Sequence, residues 1–195
     1  MILALALALS PFGHDHYITQ DGAWCWFADP RAVWVDGRIL AGSVSSSGSI
    51  RTHLYDPQTK TRQESVLAEK FEKDDHNNPA FLRLPDGRMA AFWSKHTGPD
   101  LFMATSKDLT TWSTPIKINP NDPAYKGPQG ALNAYTYPNP QLLRNEQNRI
   151  YLFWRGMNWK PTFSTSDDLG KTWSKGRILI SPSGDPAANR PYMKV

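Results

Sequence analysis

The chain has 195 residues, 39% of them hydrophobic, 12% aromatic and 21% charged, with a formal net charge of +4. That profile excludes a disordered polymer, a collagen and a disulfide-stapled miniprotein. Cys25 is the only cysteine, which excludes an internal disulfide and a multi-cysteine metal site.

In chain order, Met1 to Ser10 resembles the apolar core of a secretory signal. Residues 1–16 are therefore expected to be a targeting segment and the protein to be secreted or periplasmic. No other apolar run is long enough to span a bilayer, so no membrane association is expected. Lys and Arg are scattered, without a nucleic-acid motif, which leaves the mild positive charge compatible with an anionic ligand. Cys25, between Trp24 and Trp26, reads as a small buried hydrophobe.

Next comes a repeat. Asp29-Pro30-Arg31-Ala32-Val33-Trp34, Asn78-Pro79-Ala80-Phe81-Leu82 and Asn139-Pro140-Gln141-Leu142-Leu143 each open a strand with proline, and Arg190-Pro191-Tyr192-Met193 begins the same way. After the first three come polar turns at Asp36-Gly37, Asp86-Gly87 and Gln147-Asn148, then second apolar strands over 39–44, 89–93 and 150–154. Third strands are predicted over 50–55, 100–105 and 162–165, and fourth strands over 116–118 and 177–180. Between the third and fourth strands, Ser166-Asp167-Asp168-Leu169-Gly170-Lys171-Thr172-Trp173 fits the Asp-box pattern, and Ser106 to Trp112 is a shortened version. Such a turn is structural: the carboxylate accepts backbone amides, glycine takes the positive-φ position and tryptophan packs between sheets.

Four-stranded units at a period of about 50 to 60 residues describe blades of an all-β propeller. Three blades and the first strand of a fourth fit here, whereas closure needs about four to eight. The expectation is that residues 17–195 form the N-terminal part of one propeller domain, truncated at its C-terminus.

In a propeller, the loop before the innermost strand and the loop after the second strand lie at one end of the central channel, because the pairing is antiparallel. Three residues before each proline stand Phe27, His76, Tyr137 and Ala188, and the second strands end near Lys95, His96 and Arg155. Two imidazoles, a phenol and a guanidinium therefore converge from adjacent blades. Glycoside hydrolysis generally uses two carboxylates, and Asp74 and Asp75, adjacent in sequence, are poorly placed to flank a bond. β-Elimination of a uronate suits the residue types better: arginine neutralises the carboxylate, His or Tyr removes the C5 proton, and Tyr or His protonates the departing O4.

Asp21 to Ala32, Lys73 to Pro79, Phe92 to His96, Tyr137 to Pro140, Tyr151 to Gly156 and Asn189 to Tyr192 resemble the BNR-repeat (Asp-box) family that contains propeller ulvan lyases. The resemblance implies a seven-bladed propeller acting on an anionic, sulfated, uronate-containing polysaccharide. It implies that His76, His96, Tyr137 and Arg155 are the active-site residues; Asn77, Lys95, Tyr135, Arg31 and Arg190 are expected as substrate contacts. Either His76 is the base and Tyr137 the acid, or Tyr137 serves as both. No cofactor is needed for the chemistry, no protein partner is inferred, and a structural metal is admitted without assignable ligands. Two other readings compete. A sialidase-type hydrolase would need an arginine triad with a Tyr nucleophile and a Glu partner, and a non-catalytic propeller would stack sugars on Trp24, Trp26, Trp93, Trp154 and Trp159.

Overall fold

A computed structural model describes residues 17–124 and 133–180 together with Tyr192. The expected targeting segment at 1–16, Ala188 and Arg190 lie outside the described residues. Three four-stranded antiparallel sheets follow one another along the chain. The first holds β1 (Ala32–Val35), β2 (Arg38–Val44), β3 (Ile50–Tyr55) and β4 (Arg62–Ala68). β5 (Ala80–Arg83), β6 (Met89–Ser94), β7 (Leu101–Ser106) and β8 (Ile116–Lys117) form the second, and β9 (Asn139–Leu143), β10 (Arg149–Arg155), β11 (Pro161–Ser166) and β12 (Arg177–Ile178) the third. Each is a simple meander, and β5 neighbours both β1 and β9. The sheets are three propeller blades, with β1, β5 and β9 innermost.

The apolar pattern explains the stacking. In β6, Met-Ala-Ala-Phe-Trp-Ser, all six residues are buried. Alternation sends Met89, Ala91 and Trp93 into a core shared with Leu40, Val44, Ile50 and Leu54 of the first blade. Ala90 and Phe92 point the other way, into a core shared with Ile150, Leu152 and Trp154 of the third. A strand covered on both faces has no polar face to alternate with, hence its unbroken apolar run. Trp93 and Trp154 are thus interblade core, which removes them as sugar-stacking platforms; Trp24 and Trp26 are exposed.

In the turns after β7 and β11, the carboxylates serve the backbone. Asp108 accepts the amides of Thr110 and Thr111, and Asp168 accepts that of Thr172 at 2.8 Å and the Ser166 hydroxyl at 2.9 Å. Gly170 takes φ +86°, while Trp173 lies edge-on to Phe92 of the neighbouring blade. The first blade uses Asp56, which accepts from Gln58 and Thr59, and then adds β4, a strand absent from the sequence expectation.

Candidate active site

Antiparallel register places the relevant loops together. Ala80 pairs with Phe92 and Asn139 with Phe153, so the segments before β5 and β9 and those after β6 and β10 share one end of their blades. Two asparagines that precede the strand-opening prolines tie these segments down. The Asn78 carboxamide oxygen accepts the Cys25 amide at 2.9 Å. Asn139 accepts the Asp29 amide at 3.1 Å and donates to the Phe27 and Tyr137 carbonyls at 2.9 and 2.8 Å. The repeated Asn-Pro is therefore a clamp between blades as well as the opening of a strand.

Glu72 makes a second clamp. One of its carboxylate oxygens accepts both the His96 amide, at 3.0 Å, and the Asn77 side-chain amide, at 2.9 Å. Gly48 allows this: it has φ +82°, its carbonyl accepts the Phe71 and Glu72 amides, and a Cβ there would sit 2.8 Å from the Glu72 backbone. Thr136 pairs by backbone with Arg155 and through its hydroxyl with the Thr97 amide, which joins the β6 and β10 ends.

On this frame four side chains meet. His76 sits in a short 3-10 turn, Asp75–Asn77, capped by Asp74, whose carboxylate accepts the His76 amide. The His76 and His96 rings stack with centroids 4.0 Å apart and planes 6° apart. Tyr137 leans against His76 at 5.2 Å, and the Arg155 guanidinium lies 4.8 Å over the Tyr137 ring while Nη2 reaches His96 Nε2 at 3.3 Å. Phe27, Trp159 and Tyr192 complete an aromatic wall: Phe27 stacks on Tyr192, and Arg155 lies over Trp159 and Tyr192.

Arg155 is only 8% exposed. It has no carboxylate within salt-bridge distance among the described residues, and its buried Nε lacks a hydrogen-bond partner. A buried cation held this way is costly unless an anion joins it. The Tyr137 hydroxyl also lacks a hydrogen bond among the described residues. Burial pushes its phenol above the ordinary value of 10.0, and the opposing pull of Arg155 is too weak to offset that. Tyr137 is thus a neutral proton donor at physiological pH. At Asp74 burial acts upward, but hydrogen bonds from the His76 amide and ring and from the His96 ring outweigh it, so the carboxyl lies below its ordinary range.

Asp74, His76 and His96 have the residue types of a cation site, with ligand atoms within 4.8 Å of one another. Their geometry does not fit one. An imidazole binds a metal in its own ring plane, and two nearly parallel stacked rings have no common point at ligating distance. The Nδ1 atoms instead face the two oxygens of the Asp74 carboxylate.

His76, His96, Tyr137 and Arg155, singled out by sequence, are thus together. Other expected contacts are not with them. Tyr135 is 2% exposed, packs on Trp154 and accepts the Asn121 amide through its hydroxyl, so it belongs to the core and its place as a substrate contact is withdrawn. Asn77 is fully buried, with its side-chain amide given to Glu72, and acts as a clamp. The Lys95 ammonium lies over Phe71 and has no hydrogen bond, ion pair or ring contact with the cluster. Arg31 donates to the Cys25 carbonyl, pairs with Asp29 and covers Trp24, beside the cluster. Arg190 is outside the described residues. Sequence reasoning missed Glu72 as part of the site; it weighed Asp74 only as a hydrolytic carboxylate, offered Trp159 only as a sugar-stacking platform and noted Tyr192 only within a family signature.

The sequence profile of the BNR repeat-containing family matches residues 25–195. No curated protein matches the chain. Among solved structures, an ulvan lyase from a new polysaccharide lyase family is similar with a TM-score of 0.61 and 18% identity, over 82% of this chain and 40% of that one. The ulvan lyase bound to -[GlcA(1-4)Rha3S]- gives 0.63 and 18%, over 84% and 41%. The catalytic domain of an α-L-arabinofuranosidase from Coprinopsis cinerea gives 0.51 and 13%, over 80% and 51%. At these identities the likeness is one of fold, and the chain spans about two fifths of the length of the ulvan lyase structures.

Proposed function

The chain belongs to the BNR repeat-containing family, and from that premise we propose that it is the catalytic part of a polysaccharide lyase. The substrate class is a uronate-containing, sulfated polymer of the ulvan type. The observation that carries this reading is Arg155, a cation 8% exposed, without a carboxylate partner among the described residues, beside an imidazole and a neutral phenol.

A uronate carboxylate supplies the missing anion. Paired with Arg155, it withdraws charge from C5 and makes the C5 proton acidic. His76 Nε2 takes that proton as the electron pair forms the C4–C5 double bond and breaks the C4–O4 bond. Tyr137 gives its proton to the departing O4, and transfer from His76 back to the phenolate resets the site. Burial, which raises the Tyr137 pKa above its ordinary value and so favours the protonated phenol, supports this assignment of base and acid. The balance needs no metal or redox partner. A two-carboxylate hydrolysis is less favoured, because Asp74 and Asp75 are both spent on His76.

The test is to incubate the intact protein carrying this chain with ulvan and other uronate polymers while following near-ultraviolet absorbance of the unsaturated uronate. The expected result is a signal that His76→Ala abolishes with the fold retained. A folded protein that binds a polymer without producing the chromophore supports the non-catalytic reading instead.

A further inference from the structure

We infer that Asp74 is the positioning residue of the site, setting the tautomers of both histidines so that one anchors Arg155 and the other is left as a proton acceptor. Hydrogen-bond polarity decides the first of them, because a guanidinium only donates. Arg155 Nη2, 3.3 Å from His96 Nε2, therefore requires a lone pair on that nitrogen, which leaves the His96 proton on Nδ1. Nδ1 in turn faces Asp74 Oδ2 at 3.0 Å, an acceptor that needs that proton. The chain of donors runs one way, from Arg155 to His96 to Asp74.

The other carboxylate oxygen does the same for His76. Asp74 Oδ1 bonds His76 Nδ1, and Asp75 Oδ1 lies 2.9 Å from the same nitrogen. Facing two carboxylate oxygens, Nδ1 carries the proton, and in the neutral ring Nε2 then holds the lone pair. The parallel stacking of the rings matches this arrangement, since one carboxylate presents two oxygens side by side to two Nδ1 atoms. Asp74 also caps the turn that carries His76, so ring orientation and backbone conformation are set by one group.

The role of the His76 lone pair rests on the elimination reading above; the tautomers do not. Asp74→Asn separates a positioning role from a merely structural one. The asparagine oxygen can still accept the His76 amide and keep the cap. Its NH2 then faces His96 Nδ1, which must become an acceptor, and the proton forced onto Nε2 opposes Arg155.

Nitrogen-15 NMR of histidine-labelled protein reads this directly. The expected result is the Nδ1–H tautomer at both His76 and His96 in the wild type, with His96 converted to Nε2–H in Asp74→Asn. Turnover in that variant should fall by at least about 100-fold, chiefly in kcat. An Nε2–H tautomer at wild-type His96, or an unchanged His96 in a folded Asp74→Asn, overturns the inference. Should Asp74→Asn fail to fold, the wild-type tautomers decide alone. Correct tautomers in a protein that cleaves no uronate polymer would count against the lyase reading and leave the role of Asp74 standing.

Discussion

At the residue scale, the site depends on what burial does to two groups of opposite character. Arg155 lies in an aromatic wall, and its planar fork both donates to His96 and covers Tyr137. Lysine cannot do both. Arg155→Lys should therefore reduce kcat/KM on a uronate polymer by about 100-fold or more while the protein stays folded, as checked by steady-state kinetics beside a thermal melt. Tyr137 keeps its proton. Since its folded pKa lies above the ordinary 10.0, the acid form persists through that pH and the alkaline loss of activity should begin above it. Ultraviolet titration of wild type against Tyr137→Phe would locate this phenol, and a Tyr137 ionising below 10 would contradict the acid role. By spacing alone Tyr135 and Tyr137 would face the same side, because residues two apart share a side in extended chain. Tyr137 has φ 59°, which breaks that alternation, and Tyr135, bridged by backbone to Gly98, turns into the core.

At the element scale, strands and the turns that hold the site have different sources of order. β2, β6, β7 and β10 were legible because each carries a stretch of apolar residues covered by a neighbouring blade. β4 was not. Arg-Gln-Glu-Ser-Val-Leu-Ala is polar and largely exposed at its start, and it becomes a strand only by pairing with β3. Among the clamps, Asn139→Ala would leave the Asp29 amide and the Phe27 and Tyr137 carbonyls without this partner, at a cost of about 1–3 kcal/mol in a denaturant titration. Activity should fall with stability, because Phe27 and Tyr137 are both held by that side chain. Within the first blade, His53 is 4% exposed and bonded to the Ser43 hydroxyl at 2.7 Å. Burial pushes its pKa below the ordinary 6.5, more than Glu64 restores. The unfolded chain thus takes up this proton first, so the stability due to His53 is present above pH 6.5 and is lost as pH falls below it. Melting temperature should drop on that acid side, and His53→Gln should flatten the slope.

At the scale of the whole molecule, function depends on loops from different blades arriving at one end. The period of the Pro-led strands marks this end in the sequence itself, because equivalent positions in a repeat occupy equivalent places in a ring. His76 and Tyr137, 61 residues apart in sequence, were paired by that rule alone. The bridge from Asp74 to His96 was not legible, since whether two loops touch through a given side chain is set by the packing angle between blades and by clamps such as Glu72. Bond breaking by elimination at this cluster is tested most directly by mass spectrometry of the cleaved polymer. Elimination predicts products whose masses sum to that of the polymer with no water added, one of each pair ending in an unsaturated uronate, and none from His76→Ala. Products that gain one water per cleavage and carry saturated ends would contradict it.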